Sequence, residues 1–406
     1  MSAPAVVHSP RPPSTQLDRP QRTTLLLLAS ITVTSLAGAS TPTPLYARYQ
    51  AEWGFTPITT TVVFGVYAVS VLAALLSFGE LSDHVGRRPV LAAAVAAQAT
   101  AMLVFVTAGS VPALLIARVL QGLGTGAAAG AVGAGLLDID RARGTLANAV
   151  SPSTGTAVGV ITSGLVVQYL PHPARLIYLL LFALFMVQAV GVLLMAETVG
   201  RSPGGWHSML PRLAFPRPVR RAMLSAGPVL FAIWALAGLY GSLIPAIVRR
   251  LVGSTSALYG GLGLFLLAAA SVLAVLALRG VAAQTVMLIG TLALASGVAL
   301  TLVAVAASWP VGFFAGTVVA GAGFGSGFQA SMRTVLPLVA PHQRAGVVSL
   351  LYVVSYLGMG LPAVLAGVLV VHAGGLVQTT YEYGLAIIGL AGFAAISSRR
   401  RHAPAP

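Results

Sequence analysis

Long runs of apolar residues alternate with short connections rich in proline, glycine and arginine along most of the 406-residue chain. Each run has about 20 residues or more, the length that an α-helix needs to cross a bilayer, whereas barrel strands would alternate over about ten residues. The pattern therefore predicts an all-α polytopic membrane protein with twelve transmembrane helices. They span residues 24–47, 58–79, 89–109, 112–137, 145–170, 173–197, 222–248, 256–278, 282–306, 310–336, 345–372 and 378–397.

The composition agrees with this class. The chain is 57% hydrophobic and only 8% charged, against about 25% charged in soluble domains. It has no cysteine, and its seven histidines fall in predicted loops or tails, without carboxylates at metal-ligand spacing. We expect no metal site and no cofactor.

Arginine placement predicts the orientation. All 23 basic residues are arginine. If both termini are cytoplasmic, 17 of them face the cytoplasm, two (Arg118 and Arg333) lie within spans, and Arg48, Arg175, Arg249 and Arg250 lie outside. The net charge of +15 then reflects membrane topology rather than a nucleic-acid partner. We expect a multi-pass protein of the plasma (inner) membrane, acting as a monomer.

The chain divides into two predicted halves. We expect a disordered cytoplasmic tail at 1–22, a six-helix half at 23–198, a cytoplasmic linker at 199–221, a second six-helix half at 222–398, and a cytoplasmic tail at 399–406. Sliding the sequence by 203 positions aligns six glycine pairs, against about 2.4 expected by chance. Two pseudo-symmetric bundles with a substrate held between them are one known plan of transporters.

The stretch Gly79–Leu91 concentrates charge between the second and third predicted spans. Gly86 allows a tight turn, and Pro89 suits the first turn of the next helix. Asp83 would lie just before that helix N-terminus, where negative charge is favoured. On its own the stretch is typical of a short loop that sets topology.

The chain resembles the major facilitator superfamily, in its drug-efflux or antiporter-like branch. The loop Gly79-x-Leu81-x-Asp83-x-x-Gly86-Arg87-Arg88 and the fourth-helix segment Arg118-x-x-Gln121-Gly122-x-Gly124 resemble two of its motifs. The fifth-helix segment Gly155-x-x-x-Gly159 is similar to a third, degenerate here because Val160 replaces the usual proline.

The resemblance implies a gating latch on the cytoplasmic side. Asp83 would reach the other half near Ala345–Gly346, and Arg87 or Arg88 would pair with Asp138. The latch would close in the outward-facing state and open in the other. Its predicted members are Gly79, Asp83, Gly86, Arg87, Arg88 and Asp138.

Arg118 is the main candidate for a substrate contact. A charge inside the membrane is unfavourable by at least ~2.5 kcal/mol, so Arg118 should face a wet cavity or a partner, although snorkelling to the outer surface is the alternative. Polar and aromatic residues of neighbouring spans could complete a cavity. The predicted cavity residues are Arg118, Gln121, Tyr67, Ser40, Trp234, Tyr240, Phe324, Gln329 and Tyr356. By contrast, Tyr46, Tyr49 and Trp53 are predicted in the outer aromatic belt.

Glycines in the spans predict close helix packing, because small residues let backbones approach in lipid. The candidates are Gly122, Gly124, Gly155, Gly159 and Gly358.

Of the eight carboxylates, Asp18 falls in the predicted tail and the other seven fall near the ends of the predicted spans, none at mid-span, although proton-coupled carriers usually have a titratable group in the cavity. The leading hypothesis is secondary transport of a small organic solute by alternating access, in the direction of efflux. Whether protons are coupled to this transport is left open by the sequence. Alternatives are a facilitative or uptake carrier for a neutral or anionic metabolite and a non-transporting sensor or scaffold. We do not expect an enzyme, because the acids are scattered and no long extramembrane segment is present.

Overall fold

The computed structural model describes residues 17–200, 215–254, 256–340 and 343–399, and no strand occurs within them. Its helices are α1 Arg19–Ser40, α2 Pro42–Trp53, α3 Pro57–Phe78, α4 Leu81–Val85, α5 Arg87–Thr107, α6 Val111–Ile139, α7 Arg141–Tyr169, α8 Pro173–Leu194, α9 Arg217–Ser242, α10 Ile244–Val252, α11 Ala257–Ala277, α12 Ala283–Ala306, α13 Pro310–Val335, α14 Arg344–His372 and α15 Gly375–Arg399. A 3₁₀ turn, Leu336–Leu338, follows α13.

The helix ends follow local sequence signals. α3, α8 and α13 each begin on a proline, which fits the first turn because its missing N–H has no helical acceptor there. Asp18 caps α1 by accepting the backbone N–H of Gln21. Consequently α1 begins inside the predicted tail 1–22, of which residues 1–16 lie outside the described part. α9 likewise begins within the predicted linker, whose residues 201–214 are also outside it.

Eleven helical segments of the described chain are long and apolar enough to cross a membrane, with α1 and α2 counted as one segment, Arg19–Trp53. α15 is a twelfth long helix of 25 residues, in which Gln378, Thr380 and Glu382 lower the hydropathy of the first turns. The predicted all-α polytopic membrane fold is therefore confirmed, with eleven candidate spans and α15 as a further long helix. The chain is a multi-pass membrane protein.

The two halves share a feature that the sequence did not predict. The first span is interrupted at Thr41, between α1 and α2, and the seventh is interrupted at Leu243, between α9 and α10. Both short helices then end on a left-handed glycine, Gly54 at φ 65° and Gly253 at φ 66°. The same break at the corresponding place in each half supports the pseudo-symmetry.

Each half has its own buried apolar core. In the first half, α5 packs on α6 and α8, α3 packs on α6, and α1 packs on α7. In the second half, α13 packs on α12 and α11, and α9 packs on α14 and α15. The halves meet along two helix pairs, α3 with α14 and α7 with α11. Two long seams therefore hold the bundles together.

Large apolar side chains on the outside of α8 are exposed, including Leu180, Val187 and Leu194. Because a soluble protein rarely exposes so continuous an apolar face, this surface suits lipid.

Glycines at the helix crossings bring backbones into contact. A Cβ at Gly122 would lie 2.8 Å from the carbonyl oxygen of Tyr67, and one at Gly124 would lie 2.9 Å from that of Ala94. Gly155 and Gly159 of α7 approach the α1 backbone at Val33 and Ala37, and Gly358 of α14 approaches the α9 backbone at Phe231. All five predicted packing glycines thus lie where a side chain would separate two helices.

The bundle has two distinct ends. We call the one that holds α4, the end of α6 and the end of α8 the α4 end. The opposite end holds α2 and α10, which contact each other across the two halves, and we call it the α2–α10 end.

Candidate functional site

Arg118 lies in the second turn of α6 and is completely buried. Its Nη1 donates to the carbonyl oxygen of Ala39 at 3.0 Å and to Oε1 of Gln121 at 2.6 Å. Its Nη2 donates to the hydroxyl of Tyr46 at 2.5 Å. Residues from α1, α2 and α6 thus converge on one guanidinium group. We call Arg118, Gln121, Tyr46 and Tyr67 the Arg118 network.

Aromatic rings complete the surroundings of this guanidinium. Its Cζ lies 5.3 Å from the ring centroid of Tyr67 and 5.9 Å from those of Tyr46 and Phe105. Cation–π contacts of this kind contribute about 0.5–2 kcal/mol each. No carboxylate within the described residues pairs with Arg118, so the network keeps a net positive charge.

A second set of hydrogen bonds fixes the α6 side of the network. Nε2 of Gln98, on α5, donates to Oγ1 of Thr125 at 2.8 Å and to the carbonyl oxygen of Gln121 at 3.3 Å. All three of these polar side chains are buried. The backbone that carries Gln121 is therefore held from α5, which orients its amide toward Arg118.

In the other half, Trp234 of α9 is the centre of an aromatic cluster. Its ring centroid lies 5.0 Å from that of Tyr356 and 6.1 Å from those of Phe324 and Phe328. Tyr352 extends the group through Tyr356, at 6.3 Å. We call Trp234, Phe324, Phe328, Tyr352 and Tyr356 the Trp234 cluster.

The Arg118 network and the Trp234 cluster meet at the junction of the two halves. Tyr67 of α3 packs in one apolar cluster with Tyr356, Trp234 and Tyr352. Nε of Arg118 and Nε2 of Gln121, deeper in the first half, lack a hydrogen-bond partner within the described structure, and Nε2 of Gln121 faces Gly38 of α1. At the junction itself, the hydroxyl of Tyr67 and Nε1 of Trp234 also lack one. Since unpaired buried polar groups are unfavourable, these atoms are suited to bind a polar ligand between the halves.

Three predicted cavity residues lie elsewhere. Ser40 donates to the carbonyl oxygen of Thr156 at 3.1 Å and so joins α1 to α7. The hydroxyl of Tyr240 bonds Oγ1 of Thr317 at 2.8 Å inside the core of the second half. Gln329 reaches the carbonyl oxygen of Val275 on α11 at 3.4 Å, although its Oε1 stays unpaired. The first two take part in helix packing rather than in the junction.

At the α4 end, Arg87 is the centre of a charged cluster. Its Nη1 donates to Oγ of Ser82 at 2.6 Å and to the carboxylate of Asp83, and its Nε lies 3.3 Å from Oδ2 of Asp138. Arg87 is 5% exposed, whereas the Asp83 side chain is about half exposed. The structure therefore places Arg87, not Arg88, against Asp138 at the end of α6.

The carboxylate that caps the N-terminus of α5 belongs to Glu197, which follows α8 in the chain. Its Oε1 accepts the backbone N–H of Arg87 at 2.8 Å, and its Oε2 accepts that of Arg88 at 3.1 Å. A carboxylate is favoured there by the free N–H groups and the helix dipole. The sequence-based expectation that Asp83 would serve this end is wrong, because Asp83 lies inside α4 and faces Arg87.

Gly86 makes this arrangement sterically possible. Its φ of 101° belongs to a region that favours glycine. A Cβ there would also lie 2.9 Å from the carboxyl carbon of Glu197. Gly79 likewise lies against the α6 backbone, where a Cβ at Gly130 would meet its carbonyl oxygen at 2.9 Å.

The predicted latch between Asp83 and α14 near Ala345–Gly346 falls partly outside the described side chains. Within the described structure, α4 packs against α3, α5 and α6 of its own half. No group of three or more His, Asp or Glu side chains in the described part is arranged to hold a metal ion.

Sequence reasoning missed several residues at these sites, among them Tyr46, Gln98, Phe328, Ser82 and Glu197 as a helix cap. Tyr46 and Tyr49 are 5% and 3% exposed, so the prediction that they belong to an outer aromatic belt is wrong. Their spacing of three placed both on one helix face, but nothing in the sequence showed that this face turns inward to Arg118.

Two six-helix halves with a polar and aromatic junction between them define a membrane transporter of the two-bundle type. The chain belongs to the Major Facilitator Superfamily, whose sequence profile matches residues 28–279. This family assignment supports secondary transport.

Two relatives illustrate the similarity. Over 64 residues, 16% of each chain, the sequence is 41% identical to Multidrug resistance protein D of Escherichia coli (strain K12). The fold is similar to the crystal structure of a bacterial homolog to human lysosomal transporter, Spinster, in inward-facing and unoccupied conformation. That superposition has a TM-score of 0.73 at 15% identity, and it covers 96% of this chain and 100% of the other.

Proposed function

We propose that the protein exports a small neutral or anionic organic solute by alternating access, and that proton antiport drives the export. The observation that carries the substrate class is the buried guanidinium of Arg118, which no described carboxylate pairs with and which lies 5.3 Å from the ring of Tyr67 at the junction of the two halves. A buried positive charge of this kind attracts an anionic group and disfavours a cation.

The direction of transport is supported by the partial similarity to a protein named for multidrug resistance. That similarity spans 16% of the relative, so it supports efflux as a proposal only. The unit of function in this proposal is one chain in the plasma membrane.

For the orientation, we propose that the α4 end and both termini are cytoplasmic. Most arginines of the described connections lie at that end, among them Arg87, Arg141, Arg143 and Arg279. Arg48, Arg175 and Arg249 lie at the α2–α10 end. A cytoplasmic excess of arginine is the usual pattern in membrane proteins.

The proposed motion is a rocking of the two halves about the α3–α14 and α7–α11 seams. The α7–α11 seam is held by weak polar contacts, such as the 3.1 Å contact between the hydroxyls of Ser153 and Ser271. In this proposal the Asp83 loop latches onto α14 when the cytoplasmic side closes. The charged cluster around Arg87 keeps that loop in one conformation.

A facilitative or uptake carrier for an anionic metabolite is the second candidate. It is favoured by the positions of the acids in the described structure, none of which lies in the middle of a span. Glu382 lies in the second or third turn of α15. The other acids lie at helix ends: Asp18, Glu52, Glu80, Asp83, Asp138, Asp140 and Glu197. Such a carrier needs no titratable group in its cavity. A non-transporting sensor or scaffold ranks below both.

The deciding experiment is transport in proteoliposomes that contain the purified protein, with and without an imposed pH gradient. The solutes are short organic acids, their neutral amides and organic cations. Transport of the organic acids that depends on the pH gradient supports proton-coupled export. Transport of the organic acids at the same rate with and without the pH gradient supports the facilitative carrier. Transport of cations alone would overturn the proposed substrate class. If no solute moves although the protein remains folded and monodisperse, the scaffold becomes the better interpretation.

A further inference from the structure

A cavity of about 110 Å³ lies between the two halves at the α2–α10 end. Its first-half wall comes from α2 and α3, and its second-half wall comes from the end of α9 and from α10, α14 and α15. Ala47, Gln50 and Arg249 on these walls are partly exposed, so the cavity opens toward the solvent at that end. It is distinct from the junction at Tyr67 and Trp234.

The polar lining is neutral except for one group. Thr43, Gln50 and Thr60 contribute hydroxyl and amide groups from the first half. Arg249 contributes the charge from α10, and no hydrogen bond or ion pair in the described structure engages its guanidinium. Its Nη1 would lie 3.4 Å from a Cβ at Gly260, so it rests against α11.

The acids at this end are already engaged. Glu52 pairs with Arg48 at 2.6 Å, and Glu382 accepts from Gln378 at 2.9 Å. Neither of these carboxylates lines the cavity. The cavity therefore carries an uncompensated positive charge, and the fork geometry of a guanidinium matches a carboxylate.

The rest of the lining is apolar. Leu243, Ala246, Val370 and Leu376 face the cavity from the second half, and Pro57 faces it from the first. A volume of about 110 Å³ accepts a molecule of only a few heavy atoms. The lining thus fits a carboxylate with a short apolar tail and not a large drug-like molecule.

We propose that this cavity is an anion site for small monocarboxylates, with Arg249 binding the carboxylate. The site stands on its own geometry, whereas its use as a station on the transport path rests on the proposed function. Tyr46 connects the two, because it lines the cavity and its hydroxyl also accepts from Arg118.

The test is direct binding of butyrate to the purified protein in nanodiscs, with butyramide as the uncharged analogue. Binding is measured by saturation-transfer NMR and by the shift in apparent Tm. The variants are Arg249→Gln, its exposed neighbour Arg250→Gln as the matched control, and Ala246→Phe, which fills the cavity and keeps the charge. An Arg118→Gln background separates this site from the central guanidinium.

We expect butyrate, but not butyramide, to bind the wild type, Arg250→Gln and Arg118→Gln. Adding Arg249→Gln or Ala246→Phe to the Arg118→Gln background should weaken binding at least about tenfold, the effect of losing one charge-assisted contact. Equal binding with and without Arg249 would overturn the site, and so would an equal loss in Arg250→Gln. If Arg118→Gln does not fold, the same comparison in the wild-type background decides, since Ala246→Phe leaves both arginines in place. If butyrate does not bind at all, the proposed anion site is refuted. The proposed transport function is then still tested separately by the proteoliposome assay.

Discussion

The carboxylate of Glu197 accepts the backbone N–H of Arg87 at 2.8 Å, across 110 positions of the chain. Its second oxygen accepts the N–H of Arg88, so one side chain caps the start of α5 with both oxygens. Because Glu197 follows α8, the end of the sixth span is tied to the start of the third. The loop that carries Asp83 is thereby fixed at its far end, next to Gly86.

Replacing Glu197 by glutamine should destabilise this end of the first half. Glutamine keeps one acceptor oxygen but loses the charge, so the free energy of unfolding should fall by about 1–2 kcal/mol. Thermal denaturation in detergent measures the change. The matched control is Glu80→Gln at the same end, since Glu80 makes no side-chain hydrogen bond in the described structure. An equal effect of both variants would contradict the capping role.

Gly86→Ala should destabilise the turn before α5. The backbone at φ 101° would be strained by about 1–3 kcal/mol, and the new methyl group would displace the Glu197 carboxylate. The yield of folded protein and its apparent Tm should both fall. Gly280→Ala is the control, because a Cβ at Gly280 meets nothing within 4 Å. A Gly86→Ala protein as stable as Gly280→Ala would show that the turn tolerates a side chain.

Asp83→Asn should separate transport from stability. The side chain of Asp83 is 54% exposed, so its pairing with Arg87 should contribute less than about 1 kcal/mol. If Asp83 also latches onto α14, the transport rate should fall about fivefold or more, in line with a typical coupling energy. Asp140→Asn is the comparison for transport, because it removes a partly exposed acid at the same end and asparagine can keep the N-cap of α7. Unchanged transport in Asp83→Asn would reduce the loop to a topological role.

In a protein that already carries Arg249→Gln, Arg118→Ala should abolish the binding of acidic solutes, and Tyr46→Phe should weaken it. The phenylalanine variant removes one hydrogen bond to a charged group, which contributes about 1.5–3 kcal/mol. Binding of the solutes found in the transport screen, measured by calorimetry, checks both. Arg175→Ala is the control, because Arg175 is exposed at the α2–α10 end. Full transport with an unchanged solute range in Arg118→Ala would exclude Arg118 from the site.

The helices were predicted well from the sequence because a helix that crosses the bilayer needs a long apolar run. Such a run can be recognised without knowing the tertiary structure. Most observed spans begin and end within a few residues of their predicted limits. The breaks at Thr41 and Leu243 were not predicted, although Pro42 and Pro44 follow Thr41 and Pro245 follows Leu243. A proline lacks the backbone N–H that a helix needs, so the sequence did contain a local signal for both breaks.

The candidate site was predicted only in part. Arg118 and Gln121 were found together because their spacing of three places them on one helix face. Tyr46, by contrast, was assigned to the membrane surface, since aromatic residues near a span end usually lie there. Its contact with Arg118 depends on where α2 lies relative to α6, and a contact between residues far apart in sequence leaves no local signal. Ser40 and Tyr240 were predicted in the cavity, but their hydroxyl groups bond to neighbouring helices. A polar side chain in a span can serve either purpose, and the sequence alone does not distinguish them.

The solitary charge of Arg118 has an electrical consequence. A carrier that binds a monocarboxylate beside this guanidinium is neutral at its centre, whereas the empty carrier holds one positive charge there. In the proposed antiport, the return step also carries the exchanged proton, so only that step would move positive charge through the membrane potential, which acts with about 2.3 kcal/mol per charge per 100 mV across the full bilayer. Voltage should therefore change the rate of turnover through the unloaded step and leave the loaded step nearly untouched.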